Sequence, residues 1–354
     1  MPRWALIVPL LALALLVASW FLPLGALLAW VCAAALIAAV QAAVYHAEVV
    51  AHRTGEPFGT LVLALAVTVI EVALIVSVML TAQQEQSTLA RDTIFSAVMI
   101  ICNGVVGLCL VVGGLRHHEQ VFRIEGANAS LAALIAMATL TLVLPAFTTS
   151  SPGATYTPLQ LTFASVAALA LWAVFVFVQT VQHRDYFLPT AASDEEVHAA
   201  PPSWGRAGVS FALLLVSLVS VVGLAKVLSP SIEAALVASG APKAVIGVVI
   251  ALLVLLPETV AAVRAAHVDR LQSSLNLAYG SALASIGLTI PVVGVGSLWL
   301  GWPLVLGVQP KDLVLLTLTF IVSAITLTYG RTHMMQGAVH LVISAAFLVL
   351  ALVP

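Results

Sequence analysis

Glu71 and Glu258 are the two acidic residues that stand deep inside long apolar stretches of this 354-residue chain. An ionised side chain at the centre of a bilayer costs at least about 2.5–3.5 kcal/mol, so an acid in such a place indicates function. A single buried glutamate could instead stay protonated and donate a hydrogen bond to a neighbouring helix. Two glutamates at matching places in the sequence favour a shared chemical role.

Two carboxylates could hold a cation and protons in turn. Ca²⁺ takes about six to eight oxygen ligands at about 2.3–2.6 Å, and two carboxylates supply up to about four of them. Pro257 has no N–H, so the carbonyl of Leu253 is a further candidate ligand, unless the proline only kinks its helix. A buried carboxyl group that holds no cation is more stable when neutral, so protons compete for the same oxygens. Alternate occupation by a cation and by protons is the basis of antiport.

Both glutamates belong to an internal repeat. The phrase HAEVVAHRTGEPFG begins at His46 and the phrase SIEAALVASGAPKA begins at Ser231, and each is followed by an apolar span with one glutamate inside. We expect five helices in each copy. Five is an odd number, so the second copy enters the membrane from the opposite side, as in the inverted repeats of secondary transporters, which bind substrate near the midplane. The matching residues are Glu48, Gly55 and Pro57 in the first copy and Glu233, Gly240 and Pro242 in the second.

Polar residues near the two glutamates could complete a cation site. Asn103 follows Glu71 by one helix, and an alignment of the two copies places it opposite Ser285, which shares its helix with Ser281. Thr68, one turn before Glu71, could add a hydroxyl ligand or bond back to its own helix. Each of these side chains could equally be a polar contact between packed helices, so both roles stay open.

Glu48, Glu233 and His46 lie near helix ends, ahead of the glycine and proline of each repeat. The two glutamates could be solvated caps or ion-pair partners, or they could act as gating or proton-path carboxylates. His46 could sense pH, although a histidine at a membrane interface often has no such role.

The composition predicts a membrane protein. Hydrophobic residues make up 62% and charged residues 8% of the chain, with a mean hydropathy of +1.14, whereas soluble domains carry about 25% charged residues. The net charge of −2 offers no basic surface for nucleic acid. No P-loop is present, which argues against ATP-driven transport. We expect no cofactor. The expected partners are inorganic cations, protons and the lipid bilayer, and the oligomeric state stays open.

The fold class expected is an all-α polytopic membrane protein of about 11 transmembrane helices. A spanning helix needs about 20 apolar residues, whereas the apolar stretch Trp299–Gln309 is shorter and is expected to be interfacial. The candidate spans are Trp4–Trp20, Leu24–Val50, Gly59–Thr81, Thr93–Leu115, Asn128–Phe147, Leu159–Gln182, Ala207–Ser229, Lys243–Ala266, Ser274–Leu298, Asp312–Tyr329 and His333–Leu352.

The expected organisation has an N-terminal transmembrane helix, two repeats and a linker between them. The linker is either a solvated connection or a weak cation-sensing acidic loop. With a cytoplasmic N-terminus, nine arginines lie inside and four Lys or Arg residues outside, which predicts an extracytoplasmic C-terminus. The expected location is the cell (inner) membrane. The boundaries are 1–22 for the N-terminal helix, 24–182 for the first five-helix repeat, 183–206 for the cytoplasmic acidic linker and 207–354 for the second repeat.

The phrases around Glu71 and Glu258, with the helices that follow them, resemble the calcium:cation antiporter superfamily. Within it, the chain is similar to the bacterial calcium/proton antiporters of the ChaA type, which are related to the CAX exchangers. The resemblance runs from about Leu24 to the C-terminus. It implies one extra helix before two inverted five-helix repeats, exchange of Ca²⁺ for H⁺, and cation and proton binding at the two glutamates with Asn103 and Ser285 lining the site.

One departure from the family pattern leaves the cation open. Many relatives have Gly-Asn before the glutamate of each repeat, where this chain has Val67-Thr68 and Val254-Leu255. Fewer side-chain oxygens keep a sodium or potassium/proton antiporter as the alternative. A remote alternative from another class is an intramembrane lipid-processing enzyme, with the glutamates as acid and base. We expect a secondary transporter and not an enzyme.

Overall fold

The computed structural model describes residues 1–21, 25–54, 66, 68–76, 79, 88–188, 202–239, 242, 244–301 and 304–353. Helices make up nearly all of the regular structure in these residues. They are α1 Arg3–Ala18, α2 Ala26–Thr54, α3 over the described stretch 68–76, α4 Leu89–Met99, α5 Val106–His117, α6 Ile124–Ala138, α7 Pro158–Phe177, α8 Trp204–Ser239, α9 Ala244–His267, α10 Leu271–Leu300, α11 Pro310–Leu327 and α12 Met334–Leu352. Shorter elements are π-helical turns at Ile100–Val105, Thr139–Val143 and Val178–Gln182, 3₁₀ turns at Leu144–Ala146 and Arg184–Phe187, and strands β1 Glu119–Val121 and β2 Arg331–His333.

The prediction of an all-α polytopic membrane protein is confirmed. Among the described residues, eight helical stretches of 18 to 30 residues are long and apolar enough to cross a membrane, and α9 makes a ninth as a bent pair. The first predicted span is the shorter helix α1, with 16 residues. The third, Gly59–Thr81, lies largely outside the described residues. The number of eleven spans therefore stays a prediction.

The chain divides into two compact units. Unit 1 comprises Met1–Gln83 and Glu195–Ala241, and unit 2 comprises Gln84–Asp194 and Pro242–Pro354. The predicted repeats remain a statement about the sequence, because each compact unit contains helices from both of them. Of the predicted linker, residues 189–201 lie outside the described part of the chain, and α8 already begins at Trp204.

Unit 1 is organised around the packing of α2 against α8, with α1 packed on both helices. Gly223 on α8 allows close approach, since a Cβ atom at this position would overlap the side chain of Leu16 on α1. At one end of α2, the guanidinium of Arg53 lies over the ring of Trp204, 4.2 Å from its centroid. This geometry is a cation–π contact, and it fastens the end of α2 to the start of α8.

Unit 2 is organised around α10, which packs against α6, α7 and α9. Beside it, α4 packs on α9, and α12 packs on α5. The strands β1 and β2 form an antiparallel ribbon in which Gln120 lies opposite Thr332. This ribbon joins the connection between α5 and α6 to the connection between α11 and α12.

The apolar stretch Trp299–Gln309, expected from its length to be interfacial, continues from the end of α10. Its described residues 304–308 are buried inside unit 2. The N–H of Val308 donates to the carbonyl of Leu142, 2.9 Å away, and the N–H of Gly307 donates to the carbonyl of Ala154, 3.0 Å away. Because irregular backbone can lie in the protein interior when its polar groups are paired, these two bonds explain why the segment is inside.

Candidate cation site

Glu258 lies at a sharp bend of α9. The two parts of this helix, Ala244–Leu256 and Glu258–His267, are inclined by 52° to each other. The break falls at Pro257, which has no N–H and so cannot donate a helical hydrogen bond. Glu258 is therefore the first residue beyond the bend, and its side chain is buried, with 8% of the residue exposed.

Ser281 on α10 donates a hydrogen bond to Oε2 of Glu258. These two predicted site residues line the same cavity, and Thr259 is its other polar lining residue. The hydroxyl of Thr259 donates to the carbonyl of Leu255 in its own helix, 2.7 Å away. The remaining walls are apolar and comprise Ile101, Val105, Leu255 and Ala278. A carboxylate beside a hydroxyl can ligate a hard cation or hold a proton, and apolar walls strengthen either interaction.

Asn103, also predicted for this site, has its partners elsewhere in unit 2. It is fully buried in the π-helical turn Ile100–Val105. Its Nδ2 donates to Oγ1 of Thr319 on α11 across 2.9 Å, and its Oδ1 lies 3.2 Å from Nδ1 of His340 on α12. The structure thus brings Ser281 to Glu258, while the amide of Asn103 bonds to α11 and α12. Ser285 is buried one turn after Ser281 on α10.

Glu71 and Thr68 lie on α3, in unit 1. Each residue is 4% exposed. A spacing of three residues places their side chains on the same face of the helix. The first repeat therefore contributes a buried carboxylate with a hydroxyl one turn before it, as the sequence predicts.

The three predicted gating residues are placed very differently. Glu48 is exposed on α2, whereas the side chain of Glu233, on α8, lies outside the described part of the chain. His46 is fully buried, and its Nε2 lies 2.8 Å from the carbonyl oxygen of Ala5 on α1. The ring of His46 thus joins α1 to α2 inside unit 1, and a pH-sensing or gating role for it stays a prediction. A gating role for the two glutamates stays a prediction.

Sequence reasoning missed His340, which is an ionisable residue in the middle of the apolar helix α12 and is fully buried. The signal that selected Glu71 and Glu258, an ionisable group inside a span, would also have selected this histidine. Its Nε2 lies 3.1 Å from the hydroxyl of Thr326.

A buried ion pair at the start of α4 was also missed, because Arg91 was counted only as a charge outside the membrane. Nη2 of Arg91 lies 2.7 Å from Oδ1 of Asp92. Thr88 donates to the other carboxylate oxygen across 2.8 Å, and Nη1 of Arg91 donates to the carbonyl of Gly307 across 3.2 Å. The pair ties α4 to the buried segment that follows α10.

Comparisons with known proteins agree with the resemblance read from the sequence. The family model described as sodium/calcium exchanger protein matches residues 24–181 and 209–353. A protein of Sinorhizobium fredii that is provisionally named the ionic transporter y4hA is 47% identical over 358 residues, covering 100% of this chain and 97% of that protein. The sodium-potassium/proton antiporter ChaA of Escherichia coli is 33% identical over 350 residues, covering 97% of this chain and 94% of that protein.

The fold likewise matches a solved structure. The crystal structure of the Ca²⁺/H⁺ antiporter protein YfkE superposes with a TM-score of 0.74 and 17% identity, covering 99% of this chain and 100% of that one. The expected place in the calcium:cation antiporter superfamily is thereby confirmed. The chain belongs to the sodium/calcium exchanger protein family, and it is a multi-pass membrane protein that transports inorganic cations by exchange.

Proposed function

We propose that this protein exchanges Ca²⁺ for protons, and that Glu258 and Glu71 alternately hold the cation and the protons. The observation that carries the proposal is the buried carboxylate of Glu258, which accepts a hydrogen bond from Ser281 in an apolar-walled cavity at the bend of α9. Glu71 is included in the proposal because it has the equivalent place in the first repeat and because it is buried. Two carboxylates carry a charge that one divalent cation or two protons would neutralise.

Ser281 has a part in both states of Glu258. While its proton points to the ionised carboxylate, the lone pairs of its oxygen remain available to a cation. When a proton replaces the cation, the neutral carboxyl group can stay in the cavity without a counter-ion. Alternation between these two occupants couples the flux of the cation to the opposite flux of protons.

A sodium or potassium/proton antiporter is the second candidate, and one feature of the cavity favours it. Leu255 lines the wall beside Glu258, at a position where many superfamily relatives have an asparagine. The wall therefore lacks a side-chain oxygen there, which suits an ion that needs fewer ligands than Ca²⁺. The relative ChaA, whose match covers 97% of this chain, is named a sodium-potassium/proton antiporter.

Proton flux in liposomes tests both candidates. Purified protein is reconstituted with a pH-sensitive dye inside, and Ca²⁺, Na⁺, K⁺ or Mg²⁺ is added outside. We expect Ca²⁺ to drive proton movement, and Glu258→Gln and Glu71→Gln to abolish it. Thr162→Val serves as the control, because Thr162 is exposed on α7, away from the cavity, and its hydroxyl is bonded to its own helix. Proton movement driven by Na⁺ or K⁺ alone would select the second candidate, and normal exchange by both Gln variants would refute the proposed site.

A further inference from the structure

Four buried polar side chains form a continuous chain of hydrogen bonds through unit 2. Asn103 bonds to Thr319 on one side across 2.9 Å and to His340 on the other across 3.2 Å. His340 bonds in turn to Thr326 across 3.1 Å. Asn103 and His340 are each 0% exposed. The chain joins the π-helical turn Ile100–Val105 to α11 and α12.

The donor and acceptor of each hydrogen bond in this network can be assigned by starting from Thr319. The hydroxyl of Thr319 donates to the carbonyl of Leu315 across 2.7 Å, so its oxygen accepts from Nδ2 of Asn103. Oδ1 of Asn103 can only accept, and Nδ1 of His340 therefore carries the proton. Nε2 of a neutral imidazole is then left to accept from the hydroxyl of Thr326. All four side chains are satisfied without a charge, which suits a dry interior.

Close helix packing holds His340 against the turn. A Cβ atom on Gly107 would lie 3.0 Å from Cβ of His340 and 3.1 Å from the carbonyl oxygen of Gly337. A Cβ atom on Gly337 would lie 2.7 Å from the backbone nitrogen of Val111. The backbones of α5 and α12 therefore touch at small residues, and His340 has little room to move away from Asn103.

The opposite face of the same turn forms a wall of the Glu258 cavity. Ile101 and Val105, two residues before and after Asn103, both line that cavity. A π-helical turn is an irregular insertion in a helix and is frequently found at functional sites. Its two faces have different partners here: apolar side chains point to the cavity, while Asn103 bonds to α11 and α12.

We propose that His340 is a positioning residue for cation exchange. Through the bond from Nδ1 to Asn103 it fixes the Ile100–Val105 turn, and through this turn it sets the wall that faces Glu258. The inference deepens the proposed function and rests on the role of Glu258 in it. His340 does not touch the cation; loss of its bond to Asn103 loosens the site and weakens cation binding.

Two substitutions at His340 separate positioning from packing. His340→Asn keeps an amide donor close to the place of Nδ1, whereas His340→Leu fills the space without a donor. Val342→Ala, at an exposed position two residues along α12, is the control. We expect His340→Leu to raise the cation concentration for half-maximal exchange about tenfold, the effect of about one lost hydrogen bond. His340→Asn should restore it to within about twofold of the wild type, and the control should match the wild type.

Thr319→Val supplies an independent measurement, because it removes the other anchor of Asn103 without changing α12. It should raise the same half-maximal concentration. A purely structural role for His340 would lower the melting temperature and the maximal rate and leave that concentration unchanged, which would overturn the inference. If Glu258→Gln is inactive while His340→Leu reaches half-maximal exchange at the wild-type cation concentration, the inference about His340 is refuted and the proposed site is not. If Glu258→Gln exchanges normally, the proposed site itself is refuted, and with it the inference that rests on it.

Discussion

The Nε2 atom of His46 donates a hydrogen bond to the main-chain oxygen of Ala5, which is the oxygen that Pro9 leaves without a helical partner. Pro9 lies inside α1, and its nitrogen carries no hydrogen to give to the residue four positions earlier. A buried carbonyl without a partner is costly. The histidine of α2 therefore satisfies a defect of α1 and joins the two helices.

We predict that His46→Leu lowers the free energy of unfolding by about 1–3 kcal/mol, the cost of leaving the Ala5 carbonyl unpaired. Thermal unfolding of the detergent-solubilised protein measures this change. The substitution should cost clearly less in a Pro9→Ala background, where α1 can pair the carbonyl itself. His52→Leu, at an exposed position of the same helix, is the control. Equal costs in the two backgrounds would contradict the role assigned to Pro9.

The ion pair at the start of α4 gives a second prediction. Removal of one partner of a buried pair leaves an uncompensated charge and costs about 3 kcal/mol. Arg91→Met should therefore destabilise the protein strongly, because Asp92 is 8% exposed. The double variant Arg91→Met/Asp92→Asn should recover much of the loss. Unfolding measurements on both variants check this, and a double variant less stable than Arg91→Met would show that the pair is not the cause.

The hydroxyl of Ser281 provides a third prediction, on exchange. Ser281→Ala removes the donor to Glu258 and a candidate oxygen ligand, so we expect the half-maximal cation concentration to rise about tenfold. Ser281→Thr keeps the hydroxyl and should exchange with nearly wild-type affinity. Dose–response curves of proton flux in liposomes measure both variants. Equal affinities in the alanine and threonine variants would exclude the hydroxyl from the site.

The cavity wall at Leu255 yields a prediction on selectivity. Leu255→Asn places an amide oxygen on the wall beside Glu258, and a larger set of oxygens favours Ca²⁺ over monovalent ions. The ratio of Ca²⁺-driven to Na⁺- or K⁺-driven proton flux should therefore rise. Leu255→Met, which changes shape without adding oxygen, is the control and should leave the ratio unchanged. The same rise in the methionine variant would assign the effect to packing.

The sequence allowed the Glu258–Ser281 contact to be anticipated because both residues are polar groups in apolar spans on consecutive helices, α9 and α10. It also indicated the site of the bend in α9, since proline acts through local chemistry. The hydrogen-bond partners of Asn103 could not be predicted from the sequence. Thr319 and His340 are 216 and 237 residues further along the chain, and the direction in which a π-helical turn points its amide depends on tertiary packing.

Fold class was predictable from composition, whereas element lengths and packing units were not. The apolar run at the N-terminus yields a helix of only 16 residues. Each compact unit also contains helices of both repeats. A sequence repeat shows which elements are similar, but it does not show which elements pack together.

The ribbon of β1 and β2 has a mechanical consequence for any transport cycle. It clamps the end of α5 to the beginning of α12, with Glu119 opposite His333 and Val121 opposite Arg331. Glycine contacts lock the same two helices along their length. Sliding of one past the other would break the ladder and collide at the glycines, so α5 and α12 must travel as one rigid block.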